Sequence, residues 1–463
     1  MSESNGFEPK IVAYVCNWCT YLGADLAGTT RLEYPSNVRI VRLPCTGRID
    51  FNLLLKAFEV GADAVLVSGC HPGDCHYTAG NYHARRRWIL FRELLDTLGF
   101  DLRRIHFSWI SAAEGKKWQQ TITEITEQTK KLGPYTELYV GARSTAGCPT
   151  PADAERSEAG AGVGGAGAEA AHSPLKSVPP AVADVAELKT YAAEAELRER
   201  CRALLADGTV KVVIGYGAHG PAVITSPEGT DRLVWNNRCY SNLTAYLKRK
   251  EIRALGRAAI VVKPCDEKSL VVLEKESQLE RKDIHVIGMA CDGVGQPKCT
   301  FCTARTPRFA DETLGASTPY AIPSPLPPDR LAALMALAPT ERMAFWAGQF
   351  ERCVKCYACR QVCPMCYCER CLVDKNRPVA IDPAPSTKGN FAWHIARAFH
   401  LAGRCIGCGE CSRACPVGID LALLNICLHN AAKEHFGYEA GIDPAAEPAI
   451  GSYALQDKED FIR

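Results

Sequence analysis

The stretch VLVSGCHPGDCHY (65–77) ends an apolar run in two thiols, Cys70 and Cys75, with His71 and His76 beside them. Two earlier apolar runs end the same way: IVAYVC (11–16) in Cys16, with Cys19 close behind, and VRIVRLPC (38–45) in Cys45. A buried strand needs no thiol at its end, and cysteines used only as small hydrophobes would not favour the same end of consecutive runs. Thiolates are soft ligands, so five of them brought together suit zinc or iron–sulfur chemistry rather than hard cations. Five exceed the four ligands that an iron–sulfur cluster normally takes, which leaves one as a spare or a near neighbour. A loop histidine is more often a hydrogen-bonding residue than a ligand, so His71 and His76 rank behind the thiols. A C-x-x-C thiol–disulfide exchanger at Cys16 and Cys19 is the alternative, and it leaves Cys45, Cys70 and Cys75 unexplained.

A second group of thiols is more specific. In RCVKCYACRQVCP, Cys353, Cys356, Cys359 and Cys363 precede Pro364; in RCIGCGECSRACP, Cys405, Cys408, Cys411 and Cys415 precede Pro416. Both read C-x2-C-x2-C-x3-C-P, the bacterial ferredoxin run for a [4Fe–4S] cube. Three thiolates in a tight loop take three corners, and the fourth, just before the proline, often ligates the other cluster. Zinc is the rival occupant, but zinc sites usually pair C-x2-C units across a wide gap. The doubled spacing predicts two [4Fe–4S] clusters. Cys366, Cys368 and Cys371, in CPMCYCERC, exceed what two cubes need. They either serve an additional cluster or are packed or redox-inert thiols.

The middle of the chain repeats the logic of the first group. AIVVKPCDEKSL and GMACDGVGQPKCTFCTARTPRFADE place Cys265 and Cys291 at the ends of expected strands, with a C-x-x-C at Cys299 and Cys302 soon after. Cys239, in WNNRCYSNL, is a further candidate. Four or five thiols near one sheet edge fit a third [4Fe–4S] cluster.

Positioning these thiols takes two α/β units and a helical one. The β-rich runs IVAYVC, VRIVRLPC, ADAVLVSGC (62–70) and RIHFSWI (104–110) alternate with helix-like stretches such as FNLLLKAFEVG, HARRRWILFRELLDTLG and AAEGKKWQQTITEITEQTKKLG. This alternation predicts a doubly wound parallel sheet over residues 1–140. In such sheets ligands sit beyond the carboxyl ends of the strands, where the thiols fall. Helix N-termini point to the same edge, and their partial positive charge favours thiolate.

Residues 141–180 are rich in Ala, Gly, Ser and Pro and read as a flexible linker, with Cys148 a spare thiol in it. Residues 181–325 hold a second α/β pattern: AELKTYAAEAELRERCRALLADG leads into VKVVIGYG, followed by AAIVVKPC (258–265) and HVIGMAC (285–291). Cys201 falls in the helix-like stretch and is expected to be buried packing. GYGAHGP (215–221) is not G-x-G-x-x-G and reads as a plain turn. Residues 326–463 carry the doubled motif and helical runs. NFAWHIARAFHLAG sets Phe391, Ile395 and Phe399 at helical spacing, so a mainly helical dicluster domain is expected. His394 and His400 are then core or surface residues, since nearby thiols already satisfy the iron.

A chain of 463 residues is too long for one core, which agrees with this division. Of these residues 24 are cysteine, which in a chain with no recognisable export signal points to metal or redox chemistry rather than disulfides. The expected compartment is the cytoplasm. A formal charge of +2 gives no reason to expect nucleic acid or an anionic membrane as partner, and no apolar run approaches the ~20 residues of a membrane span.

YVCNWCTYLGAD, RLPCTGRID and VSGCHPGDCHY resemble the delta subunit of methyl-viologen-reducing hydrogenases, over roughly residues 9–135. The resemblance implies a [2Fe–2S] cluster at Cys16, Cys19, Cys45, Cys70 and Cys75, with one of the five not a ligand. The middle region is similar to the beta subunit of coenzyme F420-reducing hydrogenases and formate dehydrogenases, which implies flavin as a candidate cofactor. No nucleophile–base or acid–base pair stands out, so the thiolates carry the chemistry. The resemblance implies an electron-transfer subunit linking a hydrogenase, formate dehydrogenase or other dehydrogenase to a heterodisulfide-reductase-like flavoprotein. The competing reading is a self-contained flavin and iron–sulfur oxidoreductase acting on F420, NAD(P)H or a thiol substrate. A redox or iron sensor is a third class, weakened by the lack of a recognisable DNA-binding module.

Overall fold

The computed structural model describes residues 6–136, 191–294, 296, 299, 305–315 and 330–462. The expected linker, with Cys148, and Cys302 lie outside the described residues. In the N-terminal unit β1 (Ile11–Cys16), α1 (Thr20–Thr29), β2 (Val38–Leu43), α2 (Asn52–Glu59), β3 (Ala64–Gly69), α3 (Gly80–Thr97), β4 (Ile105–Trp109) and α4 (Gly115–Leu132) follow one another. The four strands form one parallel sheet in the order β2-β1-β3-β4. Strand β3 is buried along its whole length, as expected for an apolar run covered on both faces. The order reverses between β1 and β3, so a crevice opens at their carboxyl ends.

Helix α1 has no counterpart in the sequence reading. Its residues, TYLGADLAGT, are small rather than amphipathic. It packs on α4 through close backbone approach: a Cβ on Gly23 would sit 2.7 Å from the Ser111 carbonyl oxygen, and one on Gly115 2.9 Å from the Ala27 nitrogen. Helical periodicity is invisible where small residues do the packing.

The middle unit contains α5 (Glu194–Ala206), β5 (Val212–Gly217), β6 (Gly220–Ile224), α6 (Lys250–Arg253), β7 (Ala258–Val262), α7 (Pro264–Lys275), β8 (Ile284–Met289) and β9 (Glu312–Leu314). Its sheet runs β6-β5-β7-β8-β9, parallel except for the β5–β6 hairpin. That hairpin turn is the GYGAHGP stretch, a plain turn as expected. Cys201 is buried in α5. Cys265 does not end a strand: β7 stops at Val262, and Pro264 starts α7, whose first turn holds Cys265. Proline suits that position because its missing N–H would have had no partner there.

The C-terminal unit is helical: α8 (Arg330–Met335), α9 (Pro339–Glu351), α10 (Ala358–Gln361), α11 (Thr387–His400), α12 (Glu410–Arg413) and α13 (Leu421–Phe436). Ser386 caps α11 by accepting the Gly389 N–H at 3.1 Å, and Asp420 caps α13. Phe391, Ile395 and Phe399 are all buried. Phe399 sits edge-on to Phe51 and Phe91 of the N-terminal unit, with centroids 5.3 and 5.5 Å away. One apolar core therefore runs through both units. The middle unit docks on the same body: the Arg404 guanidinium and the Tyr367 hydroxyl both bond Glu276 of the middle unit. Among the described residues no helix is long and apolar enough to cross a membrane.

Candidate metal centres

The five N-terminal thiols meet at the crevice between β1 and β3. Cys16 closes β1, Cys19 precedes α1, Cys45 follows β2, and Cys70 and Cys75 lie on the loop after β3. The Sγ atoms of Cys16, Cys19 and Cys70 all lie within 4.8 Å of one another. Cys45 and Cys75 Sγ are 3.8 Å apart, and Cys45 also lies close enough to Cys16 to interact with it, which joins the two groups. All five are buried. Hydrogen bonds from Cys16 and Cys19 favour the thiolate at Cys70, against the burial that disfavours it.

Backbone economy makes room for this cluster of sulfur. A Cβ on Gly80, the first residue of α3, would overlap Cys45 Sγ and lie 3.4 Å from Cys75 Sγ. Gly47 and Gly69 are likewise crowded, by the Gly80 carbonyl oxygen at 2.8 Å and by Thr46 Cγ2 at 2.5 Å. A buried donor set made wholly of thiols fits a small iron–sulfur cluster or zinc and no hard cation. The two histidines are engaged elsewhere. His71 Nε2 lies 2.7 Å from Glu114 Oε2, and His76 stacks on Trp18 at 3.9 Å.

The two ferredoxin motifs repeat each other in backbone as well as in sequence. Gly407 and Gly409 adopt φ of +70° between the thiols of the second loop, and Lys355 and Tyr357 adopt +55° and +56° at the matching places in the first. The first loop thus holds two side-chain-bearing residues in a region that favours glycine. The Lys355 and Gly407 N–H groups donate to Cys353 and Cys405 Sγ at 3.4 and 3.5 Å.

The fourth thiol of each motif crosses over. Cys363, Cys405, Cys408 and Cys411 line one small cavity. Cys415 interacts electrostatically with Cys353 and Cys359 of the other loop. Both four-thiol sets fit a cube. Buried Arg397 lies between them: it lines the Cys363 cavity and donates from Nη2 to the Cys359 carbonyl at 3.0 Å, while its buried Nε has no hydrogen-bond partner. His394 is buried and stacked on Phe350 at 4.6 Å, and burial pulls its pKa down to about 3, so it is a neutral core residue. His400 is exposed at the end of α11.

In the middle unit Cys239, Cys265 and Cys291 gather around Lys263, a fully buried ammonium. Lys263 Nζ contacts Asp266 Oδ2 at 2.6 Å, the Ser241 carbonyl at 3.0 Å and the Tyr216 hydroxyl. Burial alone would neutralise this lysine, but the Asp266 carboxylate and the neighbouring thiols keep it charged. The Cys291 and Cys299 sulfurs accept backbone N–H bonds from Gly293 and Val294 at 3.4 and 3.3 Å. Sequence reasoning passed over Lys263 and Arg397. Each interrupts an apolar run (AIVVKPC and FAWHIARAF), which was the available signal.

Residues 11–133 match the model of the methyl-viologen-reducing hydrogenase delta subunit. The iron-sulfur subunit of the vhc F420-non-reducing hydrogenase of Methanococcus voltae is 50% identical over 133 residues, 29% of this chain and 92% of that protein. The chain belongs to the methyl-viologen-reducing hydrogenase delta-subunit family. Within this delta-subunit family the F420-non-reducing hydrogenase iron-sulfur protein of Archaeoglobus profundus is 48% identical over 135 residues, 29% of this chain and 97% of its own length. The delta-subunit-like stretch also matches a component of the ferredoxin:CoB-CoM heterodisulfide reductase of Methanosarcina mazei, with 44% identity over 126 residues. That match spans 27% of this chain and only 16% of the reductase component. Residues 349–419 match a 4Fe-4S dicluster domain, so this delta-subunit-family chain carries [4Fe–4S] chemistry in its C-terminal unit.

Proposed function

We propose that the chain is an iron–sulfur electron-transfer subunit of an oxidoreductase complex. It relays electrons between a hydrogenase, a formate dehydrogenase or another dehydrogenase and a heterodisulfide-reductase-like flavoprotein. The observation that carries this reading is a junction: Cys45 of the five-thiol site and residues of the dicluster domain line one cavity of about 820 Å³. The similarity of one stretch both to hydrogenase iron-sulfur proteins and to part of a heterodisulfide reductase supports a connecting role.

In this reading four of Cys16, Cys19, Cys45, Cys70 and Cys75 hold a [2Fe–2S] cluster. Cys353, Cys356, Cys359 and Cys415 hold one [4Fe–4S] cluster, and Cys405, Cys408, Cys411 and Cys363 the other. Cys239, Cys265, Cys291 and Cys299, with Cys302, hold a third, next to the Lys263 ammonium. Bound clusters supply one-electron steps; the chain fixes the thiolates and sets potentials through buried charge and N–H···S bonds. Exposed Trp18 and Tyr77 flank the N-terminal thiols and offer a partner an apolar approach to them. The functional divisions are residues 1–140, 181–325 and 326–463, joined by 141–180, and the setting is the cytoplasm.

Anaerobic purification with iron and acid-labile sulfide assays, followed by EPR during stepwise reduction, tests the reading. Both [2Fe–2S] and multiple [4Fe–4S] signals are expected. Stoichiometric zinc without sulfide would overturn it.

One observation favours a second reading, the self-contained flavin enzyme. A cavity of about 410 Å³ between the middle sheet and the dicluster domain is lined by Tyr240, Tyr246, Arg238, Arg249 and Arg413, with the β5–β6 turn among its walls. Aromatic rings and guanidinium groups suit a planar anionic cofactor. Flavin in the purified chain and turnover without partners would favour this reading.

A further inference from the structure

Four thiols of the C-terminal unit remain after the ferredoxin motifs are satisfied: Cys427 is buried in α13 against Thr97, and the fold brings the other three to one cavity. Cys366, Cys368 and Cys371 all line the 820 Å³ cavity, with Cys45 of the five-thiol site among its other lining residues. Tyr367, between the first two, points elsewhere: its hydroxyl donates to Glu276 of the middle unit at 2.8 Å.

The loop that carries them is held in place at both ends. Lys248 Nζ donates to the carbonyl oxygens of Cys363 and Cys366 at 2.8 and 2.9 Å. Asp374 accepts the Cys371 N–H at 2.9 Å and pairs with both terminal nitrogens of Arg360. Packing does not account for these thiols. Cys368 is exposed and Cys366 and Cys371 are partly exposed, whereas cysteines used as small hydrophobes are among the most buried residues. Buried Arg397 and partly buried Arg360 also line the cavity and provide positive charge for an anionic thiolate site.

The geometry points to an additional iron–sulfur cluster held by Cys366, Cys368 and Cys371, at the cavity between the dicluster domain and the N-terminal thiols. Three thiolates from one short loop are what a cube takes from a ferredoxin motif. The fourth corner then faces the cavity. Cys366 lies beside Cys363, a thiol of the second four-thiol set, which places the additional site next to the ferredoxin motifs. This inference rests on the reading of the chain as an iron–sulfur protein and extends it.

The test compares anaerobically purified full-length chain with a variant carrying Cys366→Ser, Cys368→Ser and Cys371→Ser. Loss of about four irons and four sulfides per chain is expected, with the EPR signals of the other clusters retained. Unchanged iron and sulfide would overturn the additional cluster while leaving the proposed function standing. Wild-type chain without sulfide would end both. If the triple variant fails to fold, Cys368→Ser alone decides, because that exposed side chain carries no core packing. It is expected to alter one set of EPR signals; an unaltered spectrum and iron content would overturn the assignment. Flavin bound with no change in iron would give the cavity to a planar cofactor instead, and would equally overturn it.

Discussion

The backbone of Gly80 lies against the sulfur of Cys45 so closely that no side chain fits between them. The first turn of α3 thus forms one wall of the five-thiol site. Gly80→Ala is expected to displace Cys45 and Cys75 and to abolish the N-terminal cluster. Iron should fall by about two per chain, the content of a [2Fe–2S] cluster, with the [4Fe–4S] signals unchanged. Iron analysis with EPR on the reduced variant makes the check. A methyl group accepted without loss would mean that this wall moves.

The crossover of the fourth thiols predicts a reversed pattern of damage. Cys363→Ser should perturb the cluster held by Cys405, Cys408 and Cys411, although Cys363 belongs to the first motif. Cys415→Ser should perturb the cluster of the first loop. Pairing each variant with a serine substitution in one of the two loops, and asking which pairs damage the same EPR signal, tests the assignment. Damage confined to the motif that carries the substitution would refute the crossover.

Arg397 lies between the two four-thiol sets, with one buried nitrogen unpaired by any hydrogen bond. An electron added to either cluster is stabilised by this fixed positive charge. Arg397→Met should therefore lower both reduction potentials, by tens of millivolts, since two charges ~8 Å apart interact by about 2 kcal/mol at an effective dielectric constant of ~20. Arg397→Lys should restore much of the difference. Redox titration followed by EPR reads both potentials in one experiment, and a shift in neither would show that Arg397 serves packing alone.

Much of this was legible because the signals were local. The ferredoxin loops are fixed by spacing, and the thiols at the ends of β1, β2 and β3 follow from strand polarity in a parallel sheet. What escaped was long-range or chemically quiet. Helix α1 is built from small residues with no apolar stripe, and Cys265 was assigned to a strand end because the apolar run before it conceals the start of α7 at Pro264. Gly80 has meaning only once Cys45 is beside it. The shared cavity joins residues from either end of the chain, which no short window of sequence contains.

The C-terminal segment is fastened to α3 by an ion pair whose contribution depends on pH. Asp457 accepts from Arg86 Nε and Nη2, both at 2.9 Å, in a buried pair, while Arg85 bonds the Ala454 carbonyl at 2.6 Å and Glu459. Tyr453 stacks on Tyr82 at 5.0 Å. Burial by itself would raise the Asp457 pKa, but the bonds from Arg86 and the Ala454 N–H outweigh it and hold the carboxyl below its usual range. A carboxyl lowered in this way stabilises the docked segment fully above the ordinary carboxylate range. The contribution fades as pH falls through that range toward the lower folded value. Asp457→Ala leaves Arg86 buried without its counter-charge, which costs about 3 kcal/mol. Proteolysis reports the opening of such a segment directly. At neutral pH the variant should be cut within residues 448–462 much faster than the wild type, and the gap between the two should narrow in acid as Asp457 takes up its proton. Equal cleavage rates at neutral pH would show that Arg85 and the tyrosine stack hold the segment without the Arg86–Asp457 pair.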